Sequence, residues 1–285
     1  MRTKSNQTIF EIPLKWVGPN AWSPNIFFTT LFWSAIKKRG LLLGLILLTS
    51  LNSWAFDSSH SLWNKTLQSH VNKGFVNYQK LNQNSVDLDV YLKSISISPQ
   101  SDFDHWHKDT QLAFLINLYN AATIRLILDE YPVNSIKDIG FLPHAAWRKK
   151  FILLWGKKIS LNHLEHEIIR PRSKHLPSVH FALVCAAKGC PPLRSEAYTG
   201  PALQKQLQDQ GYIFLSNTSK NRITKSEKKL YLSPIFEWYT KDFEQASGSV
   251  RKYLSVNYSE LFQSELKGFE IRYTRYDWSL NETSH

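Results

Sequence analysis

"DTQLAFLINLYNAATIRLILDEYP", residues 109–132, decides how the rest of the chain must be arranged. From Leu112 to Leu128 it is apolar on nearly every side, so no face is left for water. A helix that is apolar all round is buried all round, here at the centre of a core. Asp109 or Thr110 is suited to cap its start, and Pro132 stops it. Asn117 and Asn120 interrupt the apolar surface three residues apart, on one face. A buried amide left unbonded costs about 1–3 kcal/mol, so both need partners. Either they fasten the backbone of a neighbouring loop, or they point into a site and hold a catalytic loop there.

The segments around this helix are shorter and mixed. "SLWNKTLQSHV" (61–71) and "DLDVYLKSI" (87–95) have helical spacing, with "FVNYQKL" as a short extended piece between them. "KKFILLWGKKISL" (149–161) reads as strand, Gly156 turn and return strand. Ser160 then caps a helix, "LNHLEHEIIR", that Pro171 stops. "VHFALVC" (179–185) has the length and composition of a strand. "YTGPALQKQLQDQGYIFLSN" is a helix with Thr199 as its candidate cap. "NRITKSEKKLYLS" is a hairpin turning at Lys225–Lys228, and "SPIFEWYTKDF" a helix with proline in its first turn. "FEIRYTRYDWSLN" alternates as a half-buried strand. With no repeat and no linker, this predicts one α+β domain over residues 56–285, its central helix packed on a small, mostly antiparallel sheet.

Both cysteines lie in "HFALVCAAKGCPPLR", residues 180–194. On a continued strand, Cys185 and Cys190 would be about 16 Å apart. A disulfide needs under about 7 Å, so the loop between them must fold back, which Gly189 permits. A second reading makes Cys185 a nucleophile. The N–H groups from Ala186 to Gly189 would form an anion-binding nest, and Lys188 and Arg194 would add positive charge. The base would be His166, oriented by Glu165 or Glu167, or else His180. His180 is at an odd offset from Cys185 and so on the opposite face of a regular strand. Metal binding is the third reading, but C-x4-C lacks the knuckle spacing, and no metal or other cofactor is expected. No phosphate loop, G-x-S-x-G or H-E-x-x-H occurs.

Residues 1–55 have another character. "KKRG" (37–40), the run "LLLGLILLTSLN" and the ending "SWA" (53–55) form a signal-peptide pattern. A second apolar run, "IFFTTLFWSAI" (26–36), makes an N-terminal membrane anchor the alternative. Cleavage after Ala55 removes six basic residues and one acid, taking the net charge from +12 to +7. That mild basicity is either solvated surface or a fit for an anionic envelope partner; with an export signal and no nucleic-acid motif, nucleic acid is not expected. The expected location is periplasmic or secreted, an oxidising setting in which two thiols pair.

Five phrases together resemble one family, the domain of unknown function 547. They are "AFLINLYNAATIRLILDEYP", "ISLNHLEHEIIRP", "VHFALVCAAKGCPPLRSEAY", "SPIFEWYTKDF" and "YDWSLN", and the likeness runs from the region of Val76 to Asn281. It implies no activity and no catalytic list. The functional expectation is therefore built on the residues: a thiol-dependent hydrolase or acyl transferase using Cys185 with His166 or His180, Asn117, Asn120, Lys188 and Arg194 supporting the site. The alternative is a non-enzymatic binding domain with a Cys185–Cys190 disulfide. A helix packed before a sheet suits a papain- or transglutaminase-like arrangement. There, however, the nucleophile heads the central helix, and "DTQLAF" has no cysteine.

Overall fold

The apolar stretch forms the central helix Lys108–Asp129, with Leu112 through Ile124 buried without a break. The computed structural model describes residues 56–262, 266 and 268–283, within one compact unit, 55–285. The leader, residues 1–55, lies outside the described residues, and so do the expectations placed on it. Neither Asp109 nor Thr110 caps the central helix. His107 does, its Nδ1 accepting the Asp109 N–H at 3.3 Å. Asp109 instead sits in the first turn, where a carboxylate suits the helix dipole, and accepts a bond from Gln204.

The neighbours of the central helix are mostly helical: Tyr78–Gln83, Val86–Ile97, Leu203–Leu215 and the segment 161–172. Among the described residues the strands are short and lie in three separate sheets. β1 (Val71–Asn72) and β2 (Phe75–Val76) form a small hairpin. β3 (Ile152–Leu154) and β4 (Lys157–Ile159) form the expected one, turning at Trp155 and Gly156, both at positive φ. β5 (Arg222–Thr224) and β6 (Lys229–Leu232) are antiparallel, and β7 (Glu270–Tyr273) adds to β6 in parallel. The class is α+β, with mostly antiparallel pairing.

Two expected details are corrected. Val179–Cys185 is not a strand: Pro177–Phe181 is a 3-10 helix, and irregular backbone follows. Its apolar residues are buried on all sides, so composition cannot separate strand from buried coil. Thr199 does not cap with its side chain. Gly200–Ala202 is a 3-10 turn leading into the helix Leu203–Leu215. Gly200 is required there, since a Cβ would lie 2.9 Å from Thr110 Cα.

The helix after Ser160 begins as expected, with Ser160 Oγ accepting the His163 N–H. It then widens into a π-helix over Leu164–Ile169 before the final turn Arg170–Arg172. Beyond β7 the chain runs extended and ties distant parts together. Asp277 O and Ser279 O accept from the Gly189 and Lys188 N–H groups, and Asn281 O accepts from Val76 N–H. The buried Asn281 side chain takes the Tyr78 hydroxyl at 2.9 Å. One apolar core surrounds the central helix. A second gathers Phe181, Phe214, Phe236, Phe243, Tyr253 and Tyr258.

Candidate functional site

Asn162, Glu165, His166 and Arg170, one helical face by spacing, line the wall of one cleft of about 580 Å³, and the turn that carries Glu165 and His166 is π-helical. Turns of this kind occur often at functional sites, because the extra residue re-aims the side chains around it. The cleft also takes residues from both cores, Leu183 from the first and Ile235 from the second.

Its polar side is a connected network. Tyr239 donates to Glu165 Oε1 at 2.5 Å, and Glu165 is otherwise almost wholly buried. Burial, then the Glu165 charge, pushes the Tyr239 and Tyr119 hydroxyls well above their ordinary range. Arg170 grips Asp242 with a two-pronged fork at 2.9 and 2.7 Å and donates to His166 Nδ1 at 3.0 Å. A neutral His166 ring therefore carries its proton on Nε2. His180 Nε2 donates to the same carboxylate at 2.8 Å, and its ring stacks on Tyr239 at 3.7 Å. The bond from His180, and with it the Arg170 fork, holds the Asp242 carboxyl far below its usual range despite partial burial.

The cleft also has an aromatic lining. Trp238, Trp278, Tyr276 and Trp147 form a continuous set, with ring centroids 4.6–5.9 Å apart along it. Trp238 is 48% exposed, and with its ring neighbours it leaves aromatic surface open to solvent. Lys137 lies over Trp278 at 5.2 Å, and Arg148 is exposed at the mouth.

Cys185 and Cys190 line this cleft and are joined as a disulfide, their Cα atoms 6.4 Å apart. Ala186, at φ 59°, reverses the chain after Cys185. The Tyr276 hydroxyl reaches Cys190 Sγ at 3.0 Å and Cys185 Sγ at 3.2 Å. The expected nest is not available: Lys188 and Gly189 spend their N–H groups on the C-terminal segment, and Cys190 N–H goes to Ala187 O. Gly189 itself is pressed so close that a Cβ would meet the Asp277 backbone at 2.9 Å.

The remaining expected residues divide. His166 and His180 both line the cleft with Cys185, although a strand would have put His180 on the far side. The 3-10 turn removes that alternation. Among the described residues neither histidine bonds a sulfur; they bond Arg170 and Asp242 instead. Glu165 serves tyrosine rather than a histidine ring. Asn117 exchanges two bonds with the Tyr198 backbone, at 2.7 and 3.0 Å. Asn120 bridges Ala182 O and Val184 N–H, both at 2.9 Å. Both amides thus clamp the backbone on either side of the cysteine segment. Lys188 is exposed on another cavity. Arg194 is outside the cleft and pairs with Glu196.

Sequence reasoning did not single out Arg170, Asp242, Tyr239, Tyr276 or the three tryptophans. All but Trp147 lie in phrases already quoted for the family likeness: Arg170 in "ISLNHLEHEIIRP", Trp238, Tyr239 and Asp242 in "SPIFEWYTKDF", and Tyr276 and Trp278 in "YDWSLN". That was the signal available for them. Residues 103–215 match the family model described as "Protein of unknown function, DUF547". No curated protein and no solved structure matches the chain.

Proposed function

Residues 103–215 belong to the DUF547 family, and from that premise we propose that this is an exported envelope domain whose aromatic-walled cleft binds a ring-bearing ligand such as a saccharide. The Cys185–Cys190 bridge serves as its structural clip. The observation that carries this reading is the half-exposed Trp238, in ring contact with Trp278 and Tyr276, in a cleft that Glu165, His166 and Asn162 also line. Indole faces stack on the apolar face of a ring, while the acid, imidazole and amide serve its hydroxyls. Tryptophan fluorescence during titration with soluble envelope glycan fragments tests it. Saturable quenching that Trp238→Ala abolishes is the expected result. Quenching that this variant leaves unchanged, or none with any fragment, refutes the assignment.

A second reading is the thiol-dependent hydrolase or acyl transferase. Cys185 is only half-buried and shares the cleft with His166 and His180, so reduction would release a thiol beside two histidines. It requires a free thiol in the isolated protein, and iodoacetamide labelling without reductant decides between the two.

A further inference from the structure

A second cavity, of about 400 Å³, shares Cys190 and Tyr276 with the aromatic cleft but has a different chemistry. Lys73, Lys188, Lys220 and Arg275 line it, and Asp277 is its one carboxylate. Asp277 is already engaged, its Oδ1 accepting from both the backbone and the hydroxyl of Ser279. Among the described residues Lys73, Lys188 and Arg275 make no side-chain hydrogen bond or close ion pair, although the charges of Lys188 and Arg275 act at longer range on Asp277. Four cations thus line a cavity with one carboxylate, Asp277, which offsets only part of their charge.

Lys220 sharpens the point. It is half-buried, and its ammonium donates to the Cys190 carbonyl. Among the described residues that is its one hydrogen bond, and an ammonium carries three donors. Burial lowers it to about 8. The Asp277 charge and the Phe214 ring at 6.0 Å also act on this half-buried ammonium, and a bound anion would offset the cost of its burial further. Arg275 supplies a planar fork that matches the oxygens of a phosphoryl group, and three lysines supply point charges around it.

We propose that this cavity binds a phosphoryl group carried on a small polar moiety, such as a glycerol phosphate. The volume exceeds that of phosphate alone, and four cations against one carboxylate favour an anion. This chemistry has two sources, a soluble phosphate ester or a phospholipid headgroup.

Isothermal titration of the mature protein with glycerol 1-phosphate tests the first source. Co-sedimentation with phosphatidylglycerol vesicles, against phosphatidylcholine vesicles, tests the second. Lys220→Met should weaken binding at least tenfold. Arg275→Gln and Lys188→Gln, at exposed positions that do not threaten folding, should weaken it several-fold. Lys93→Gln, on a distant exposed surface, controls for general charge. Binding of the soluble ester with this pattern supports a free phosphate ester as the source. Vesicle binding alone, with the same pattern, supports the headgroup. No binding in either arm overturns the proposal. So does binding that Lys220→Met and Arg275→Gln leave unchanged, or that Lys93→Gln weakens equally.

Discussion

Replacing Asn120 by leucine removes a clamp without opening a cavity. In the native chain the buried amide accepts from Val184 N–H and donates to Ala182 O, both bonds at 2.9 Å and both inside the core. Leucine keeps the volume and orphans both backbone groups at once. Each buried orphan costs about 1–3 kcal/mol, so the expected loss is roughly 2–6 kcal/mol. Against a typical stability of about 5–15 kcal/mol, that is a large share of the whole. Urea unfolding followed by tryptophan fluorescence measures it, with an unchanged slope showing that the same surface is exposed. Native-state hydrogen exchange gives a local check, since the Val184 amide should lose protection more than amides on the far side of the core. Asn117→Leu should cost a similar amount and loosen Tyr198 instead, because its two bonds go there. A loss below about 1 kcal/mol, or a Val184 amide as protected as before, would show that the backbone finds other partners and would refute the clamp.

The remaining predictions concern other sites. The Cys185–Cys190 bridge closes a very short loop, so reduction or Cys190→Ser should lower stability by only about 2 kcal/mol; native protein that takes up iodoacetamide quantitatively without reductant would exclude the bridge. His60 is buried, with Nδ1 on the Tyr91 hydroxyl and no partner at Nε2 among the described residues, and burial lowers it to about 4. The unfolded chain takes up that proton near 6.5 and the folded chain resists until about 4, so stability should fall on the order of 3 kcal/mol as pH drops across this window. His60→Gln keeps a bond to Tyr91 and should flatten that dependence; an unchanged pH profile would place the acid sensitivity elsewhere. The signal pattern at 37–55 predicts a mature N-terminus at or within a few residues of Phe56, which intact mass of the envelope fraction reads directly, and a membrane-embedded full-length chain would favour the anchor.

By itself the sequence determined the features that depend on local pattern. The all-round apolar run at 112–128 can only be a buried helix, and Asn117 and Asn120 within it had to find partners. The Gly156 and Lys225–Lys228 turns follow from local turn chemistry and formed where the pattern put them. Tertiary structure decided what depends on contacts across long separations. Val179–Cys185 looks like a strand because it is apolar, but among the described residues no strand pairs with it, and the nearby backbone bonds go to a segment some ninety residues later. That segment also uses the N–H groups a nest would have needed. Glu165, His166 and Arg170 share one helical face by spacing, but which cleft that face lines is decided by the distant elements that meet it. The Arg170–Asp242–His180 network joins residues 62 to 72 positions apart, which no periodicity can reveal. Periodicity reports which face of an element is buried, whereas a site is made by which elements meet, and that is set only when the whole chain closes on its core.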